Sequence, residues 1–575
     1  MRSLRASTFL TLLLPLAACG GNDDPPTGGS SLAAPANLQV TSSGNTATVR
    51  FGGVDGATSY TVERSQGAGG AFAALPGSVA TTCWDDVGLQ PSTSYRYRVT
   101  ARNAAGQSAP SGEFRVTTSN DFTAGSKSTT IGCSVTASRT LFRDTVYTLS
   151  GFVKVQNGQT LTIQDGTKIV GDTLVNGSSL WILRGAKIDA RGTATSPIVF
   201  TSARDTLQRK PGDWGGIIII GNARLNRAGS SIFTEGPSGT SENYAGGTDD
   251  NDNSGTLRYV RIEFAGFDVS NGGGQELNTL SSYAVGRGTT YEYIQSMAGL
   301  DDSFEWWGGA VDGRYLVSFE SGDDHFDWTE GYQGRNQFLI AMQTRVVPPR
   351  GTAGTVSGDP RGFEGDGCDP AVSGCDATVA NARFSMPVFA NFTLLGPGAG
   401  VFAAADGNGM HLRRGTGGTF VNGIVARWPG AGLAVRDAAT DQLRQRDSLV
   451  VRNVVFAENG TNIEAAGTST DRFAQNFDLG ANSIVTMAAG GTASVLVAAP
   501  VGSSNPTTSI PVYASINLRA QGAAATAGAA AFSSTLNARM GSFFGGTLSG
   551  TAYAGAVDPA ATSLWYQGWT TYRIR

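Results

Sequence analysis

Residues 291–295 read Tyr-Glu-Tyr-Ile-Gln, residues 314–318 Arg-Tyr-Leu-Val-Ser and residues 337–341 Gln-Phe-Leu-Ile-Ala. Tyr293, Tyr315 and Phe338 hold the same place in these strings and stand 22 and 23 residues apart. A repeat of that length fits one turn of a parallel β-helix, in which equivalent residues stack at the strand spacing of about 4.8 Å. Upstream, Phe152–Val155, Leu161–Ile163, Lys168–Val170, Trp181–Leu183, Ala186–Ile188 and Ile198–Phe200 are short apolar strands divided by Asn157-Gly158, Asp165-Gly166, Arg184-Gly185 and Arg191-Gly192. Strands this short make poor hairpins but suit the rungs of a coil. Downstream, Leu257–Phe264, Phe389–Leu395, Val421–Val425 and Val451–Phe456 read as further rungs with loops inserted between them. Residues 120–575 are therefore expected to form a solenoid, with a β-propeller as the alternative.

Composition agrees with an all-β chain. Glycine supplies 79 of 575 residues, about 14 % where about 7 % is usual. No collagen-like period accompanies it and hydrophobic residues make up 40 %, so the glycine belongs to turns of a folded protein. No helical heptad runs through the chain. The net charge of −4 makes nucleic acid an unsuitable partner.

Arg2 and Arg5 followed by an apolar run from Phe9 to Leu16 read as a signal peptide over residues 1–18, too short to span a bilayer. The run ends Leu16-Ala17-Ala18-Cys19. That string resembles the lipobox of bacterial lipoproteins, which implies lipidation of Cys19 and a membrane partner through that anchor. Gly20 stands where an inner-membrane retention aspartate would, so the resemblance implies the cell envelope, at the outer membrane, facing the surface or the periplasm. Residues 19–33, rich in Pro, Gly and Asp, read as a tether. Four cysteines remain in an oxidising compartment. Cys368 and Cys375 bracket a short loop closed by its own bridge, and Cys83 and Cys133 pair by elimination. No zinc-ligand spacing is present, and His325 and His411 are the only histidines.

Residues 34–119 alternate apolar and polar residues in strands separated by turns every eight to twelve positions, the pattern of a β-sandwich. The block Gly88-Leu89-Gln90-Pro91 through Ser94-Tyr95-Arg96-Tyr97 to Asn103 resembles a fibronectin type III domain. The resemblance implies that Leu89 is buried, that the Tyr95 hydroxyl bonds backbone, and that Phe51 replaces the core tryptophan. A spacer role is expected.

In the long domain, Gly185-Ala186-Lys187-Ile188-Asp189-Ala190-Arg191-Gly192-Thr193, Gly212-Asp213-Trp214-Gly215-Gly216-Ile217-Ile218 and Leu257-Arg258-Tyr259-Val260-Arg261-Ile262-Glu263-Phe264 resemble a group of bacterial surface β-helix lipoproteins. The group implies a right-handed parallel β-helix but has no generally assigned activity.

Chemistry is expected at a duplicated acidic motif. Asp301-Asp302-Ser303-Phe304-Glu305-Trp306 recurs as Asp323-Asp324-His325-Phe326-Asp327-Trp328, offset by 22 residues. That offset sets the copies on adjacent rungs, where like charges are costly unless protonated, paired with arginine or bound to a cation. Arg314 and Arg335 are the expected partners if the motif is structural. Alternatively Asp301, Asp302, Glu305, Asp323, Asp324 and Asp327 bind calcium or sugar hydroxyls, with Trp306, Trp307 and Trp328 as stacking platforms. In a catalytic reading, Asp302, Asp323, Asp324 and Arg314 are the candidates. Ser321-Gly322-Asp323-Asp324 resembles the paired-aspartate motif of polygalacturonases, but His411 stands 86 residues after His325 and no Arg-Ile-Lys follows. Asp250, Asp252 and Ser254 resemble the start of a calcium loop, without its closing glutamate. Asp213-Trp214 and Trp565–Trp569 are expected to pack, the latter as an end cap.

The order of parts predicts a lipid-anchored protein presenting a β-helix for binding carbohydrate, an extracellular polysaccharide or a cell-surface glycan, or for adhesion. It is expected to be non-catalytic, with calcium as the one cofactor the pattern allows. A polysaccharide lyase or glycoside hydrolase is the alternative, and an architectural envelope protein the second.

Overall fold

A computed structural model describes residues 32–118, 127–477, 485–499 and 516–572, apart from gaps of one to four residues within them. The expectations placed on residues 1–31, including the signal peptide, Cys19 and most of the tether, lie outside the described residues.

The first unit is a sandwich. Gln39–Ser43, Thr46–Arg50 and Cys83–Asp86 form one antiparallel sheet. Ser59–Gln66 and Ser94–Asn103 centre the other, also antiparallel. Their inward residues, among them Val49, Phe51, Tyr60, Val62 and Tyr97, make one core. Leu89 is buried, and the Tyr95 hydroxyl accepts the Gln90 N–H at 3.0 Å, as the resemblance implied.

Beyond residue 127 the strands pair in parallel, each with its equivalent one turn later. Thr290–Met297, Asp312–Phe319 and Arg335–Met342 lie side by side with Glu292 opposite Arg314 and Arg314 opposite Gln337. Two long sheets result, and among the described residues they hold fifteen and ten strands. This is the solenoid, and the propeller alternative is set aside, since its blades are antiparallel sheets.

Each long strand bends at one left-handed residue. Tyr259, Tyr293, Tyr315, Phe338, Asn391, Asn422 and Asn453 have φ between 48° and 63°. Asparagine tolerates this region, whereas an aromatic residue there costs roughly 1–2 kcal/mol. The rings stack from rung to rung at 4.3, 4.4 and 5.0 Å, a contact of about 0.5–1.5 kcal/mol each that offsets the strain. The asparagines instead reach the C-terminal segment: Asn391 donates to the Gly555 carbonyl, Asn422 to that of Thr551 and Asn453 to that of Ala527. That segment lies across the outside of the bent strands. Trp569 meets Tyr259 and Tyr293 edge-on, and Trp565 packs on Tyr315. The expected end cap is thus a side cover, because the bend column left an apolar outer face for it to bury.

The interior between the sheets is aromatic. Phe304 stacks on Phe326, and Trp306 on Tyr332. Trp328 packs against Phe363, Phe389 and Phe420. Gly365 faces this layer, and a Cβ there would stand 2.2 Å from the Trp328 ring. The bulk of Trp328 is the reason the third copy of the motif carries glycine where the first two carry tryptophan. Trp214 is likewise fully buried. Both expected disulfides, Cys83–Cys133 and Cys368–Cys375, are present. Among the described residues no helix is long and apolar enough to cross a membrane.

Candidate functional site

The duplicated motif lies on the ten-stranded sheet. Phe304–Trp307 pairs with Phe326–Thr329, with Glu305 opposite Asp327 and Trp306 opposite Trp328. The next rungs are Phe363–Asp366 and Met410–Arg413, which set Asp327 opposite Glu364 and Glu364 opposite His411. Side chains alternate across a strand. Phe and Trp therefore point inward while Glu305, Asp327, Glu364 and His411 form one outward column.

This alternation corrects the stacking expectation. Trp306 and Trp328 are 1 % and 0 % exposed and offer no face to a sugar. Trp307 borders the cleft but is buried against Tyr283, ring on ring at 4.0 Å. Phe233, at 59 % exposure, is the open aromatic ring on the cleft wall.

The cleft holds about 430 Å³, and Glu305, Asp327, Glu364 and Asp366 line it with Glu235 and with Glu330, which directly follows the Phe326–Thr329 strand. Asp301, Asp302, Asp323 and Asp324 adjoin the column just before the two strands. One Asp302 oxygen accepts the Asp324 N–H at 2.8 Å, and Asn278 accepts the Asp302 N–H at 3.0 Å while its amide donates to Glu305.

The column divides into a paired half and an unpaired half. Arg361 bridges Asp324, Asp359 and Glu364, Arg413 bridges Glu364 and Asp366, and Arg414 bridges Asp366 and Asp369. The expected partners are corrected here. Arg314 stands in the other sheet, paired with Glu292, and Arg335 is buried against Asp312. Arg314 is thereby also removed from the catalytic candidates. A sequence offset of 12 or 13 residues carries the chain around a corner to a different face.

Among the described residues, Asp301, Asp302, Glu305, Asp323 and Asp327 make no ion pair. One oxygen of Asp323 and one of Asp327 are buried without a hydrogen-bond partner. Two trios, Asp301–Asp302–Asp323 and Asp302–Glu305–Asp327, each bring carboxylate oxygens within 4.8 Å of one another. Burial first, then neighbouring carboxylates, raise the whole group. Asp323 is pushed up to about 7, with Glu364 the main charge acting on it, and Asp324 to about 7, with Asp323 acting on it. Glu364 reaches about 8, while Asp301, Asp302, Glu305 and Asp327 rise well above the carboxylate range. Such a group is neutralised by protons or by a hard cation, and the orphaned oxygens fit a cation with oxygen ligands.

Asp250 fits one less well. Both its oxygens accept from Arg383, at 2.9 and 3.1 Å, and Arg224 adds a third contact. The carboxylate trios do not include Asp250 or Asp252, and Ser254 merely bonds Asp252 at 3.2 Å. Calcium expected at Asp250, Asp252 and Ser254 is displaced by these guanidiniums.

Sequence reasoning missed Glu364, Asp366, Arg361, Arg413 and the place of His411. Phe363-Glu364-Gly365-Asp366 is a third copy of the aromatic–acid pattern, displaced from the period by the loop between Met342 and Phe363. His411, remote in sequence, stacks on Glu364 and is lowered to about 2 by burial and then by Arg361. Replacing Arg361 with methionine removes the cation that faces Asp324 and Glu364. At pH 8 we expect Arg361→Met to cost roughly 1–3 kcal/mol of stability, and at pH 5 much less, because those carboxyls then carry protons. Equal losses at the two pH values in urea titrations would contradict this pairing.

A family model described as a pectate-lyase-like β-helix domain matches residues 133–496, more than half of the chain. The chain belongs to this family. Fibronectin type III domains match residues 33–117. No curated protein matches. Similar solved structures include an Fn3-like protein from Clostridium thermocellum, 32 % identical, covering 16 % of this chain and 95 % of that one with a TM-score of 0.15. The fibronectin type III domain of a human protein, fibronectin type III domain containing protein 3, is 25 % identical, covers 17 % and 94 %, and also scores 0.15. A myokine structure is 20 % identical over 16 % and 99 %, with the same score.

Proposed function

We propose that this member of the pectate-lyase-like β-helix family is a carbohydrate-related surface protein, held to the cell envelope through Cys19, whose acidic cleft binds calcium and through it an extracellular glycan. The observation that carries the reading is the set of five carboxylates without arginine partners, on adjacent rungs, beside an open cleft. Asp302, Glu305 and Asp327 would hold the ion, with Asp301 and Asp323 flanking them. When bound, the ion supplies positive charge for a glycan's hydroxyl or carboxylate oxygens. Glu235 and Glu330 face that position, and Phe233 offers a rim ring to a sugar face.

The absence of turnover in this reading rests on the arginines. A lyase mechanism asks a basic side chain to accept a proton from the sugar ring. Burial lowers Arg361 and Arg413, but the carboxylates around them more than offset it and hold both above their ordinary value. Neither is suited to act as that base.

Calorimetry of the full chain with calcium, followed by a panel of acidic and neutral glycans, tests the proposal. Micromolar or tighter calcium binding that Asp302→Asn weakens at least tenfold is expected, together with glycan binding that EGTA abolishes. Loss of neither, or no binding of any glycan by the folded protein, sinks it and leaves the architectural role. Mass spectrometry of the mature N-terminus should find acylated Cys19, absent in Cys19→Ser.

One observation favours a second reading, glycoside hydrolysis. Asp323 and Asp324 titrate near neutrality, where a general acid works best. It predicts new reducing ends from a bound glycan, lost in Asp323→Asn, and the binding reading predicts none.

A further inference from the structure

A second pocket lies at the junction of the two domains, remote from the acidic cleft in the fold. It holds about 470 Å³ between the Cys83–Asp86 strand of the sandwich and residues Ser134–Arg139 of the β-helix. Its walls are held firmly together. The Cys83–Cys133 bridge joins them, Asp85 accepts the Gly132 and Cys133 N–H groups at 3.1 and 3.2 Å, and Arg50 donates to the Gly132 carbonyl at 2.8 Å.

Most polar groups around it are already engaged. Asp85 also accepts the Thr48 hydroxyl at 2.6 Å, and Asp86 is bound by Arg64 and the Tyr97 hydroxyl. The exception is Arg139. Among the described residues its guanidinium makes no hydrogen bond and no ion pair, although it is only partly exposed; burial lowers its pKa and the nearby charge of Asp85 partly offsets that. Among the described residues the indole N–H of Trp84 makes no hydrogen bond either. Leu75, Val87 and Val135 complete an apolar wall, with Val87 48 % exposed at the mouth.

We propose that the junction pocket binds a monoanionic ligand, a carboxylate on a ring-sized body with an apolar face, which pairs with Arg139 and lies against Trp84. A partly buried guanidinium whose N–H groups make no hydrogen bond favours an acceptor, and its planar fork matches a carboxylate bidentately. Asp86 is paired with Arg64 and burial raises the Asp85 carboxyl, so Arg139 is left to hold a single negative charge and is poorly matched to a phosphate dianion. The apolar wall and the indole face fit a ring with an apolar face, which the C–H face of a uronic-acid residue and the ring of an aromatic acid both supply. Ligand sites are common at domain junctions, and this one needs no reordering of its walls.

Titration calorimetry of the full chain with benzoate, with glucuronate and with the methyl ester of each tests this. We expect one of the two acids to bind and both esters to fail. Arg139→Gln should weaken binding at least tenfold while the protein stays folded, because Arg139 makes no hydrogen bond that the change would break and loses only its attraction to Asp85. Trp84→Ala should weaken it several-fold, and Trp84→Phe less. Benzoate alone binding identifies an aromatic acid, and glucuronate alone a uronic sugar. Binding of neither acid, or binding that Arg139→Gln leaves intact, overturns the proposal.

Discussion

Freed of divalent cations, the full chain should melt on the order of 5 °C lower at pH 8.5 than at pH 5.5. The cause is the acidic column. Asp323 and Asp324 titrate near 7 and Glu364 near 8 in the folded protein, whereas unfolded carboxyls titrate near 4. A group whose folded pKa is raised binds its proton more tightly when folded. Its contribution is complete below the unfolded value and is lost as pH rises through the folded value. The window therefore runs from about 4 to 8, and stability falls across it, opposite to the usual behaviour of salt-bridged carboxylates. Arg361 and Arg413 protect Glu364, so the steepest loss should come from the unpaired members. Asp302→Asn combined with Asp327→Asn should flatten the curve and raise the melting temperature at pH 8.5. Calcium at a hundred times its Kd stabilises by about 2.7 kcal/mol, which for a domain of this size restores roughly 3 °C. It should do so at pH 8.5 and much less at pH 5.5, where protons compete for the same oxygens. Scanning calorimetry with EGTA or calcium at the two pH values decides the matter. A curve that rises with pH would mean that the carboxylates are ionised and compensated in some other way.

Trp328→Ala should cost about 3–5 kcal/mol, a loss of roughly 3–5 °C in a domain this large. The ring is fully buried, touches Phe363, Phe389 and Phe420, and donates its N–H to the Thr416 hydroxyl at 3.0 Å. Removing it opens a cavity between the sheets and takes away the donor that the Thr416 hydroxyl accepts. Gly365 on the next rung offers no side chain to fill the space. Calcium and glycan affinity per folded molecule should barely change, because Asp327 faces the other way from the same strand. Chemical denaturation beside calcium titration separates the two effects. A variant of normal stability that no longer bound glycan would place the indole in the binding face after all and contradict the inward orientation.

The contrast between Trp328 and Asp327 also shows what was legible in advance. The Phe-acid-Trp string already carries the two-residue alternation of a strand, so the inward tryptophan and outward acid were readable from it. The expectation of a stacking platform overlooked that period. The stacking of Glu305 on Asp327 was readable from the 22-residue offset, since no loop interrupts those two rungs. Glu364 and His411 were not, because inserted loops break the spacing while leaving the rungs adjacent. The charge partners were likewise hidden. Arg314 and Arg335 lie near the motif in sequence but beyond a corner, whereas Arg361, Arg413 and Arg414 arrive from later turns.

By itself, then, the sequence determined what local periodicity and covalent chemistry control: an all-β chain, a fibronectin type III sandwich, a coil of short parallel strands, and two disulfides. Only the tertiary structure decided which carboxylates, among the described residues, make no ion pair, which face carries the C-terminal cover, and where a guanidinium lies beside Trp84 with no hydrogen bond among the described residues. Those properties depend on distances across rungs and domains. The backbone hydrogen bonds that define a β-helix place no limit on the loops between its turns.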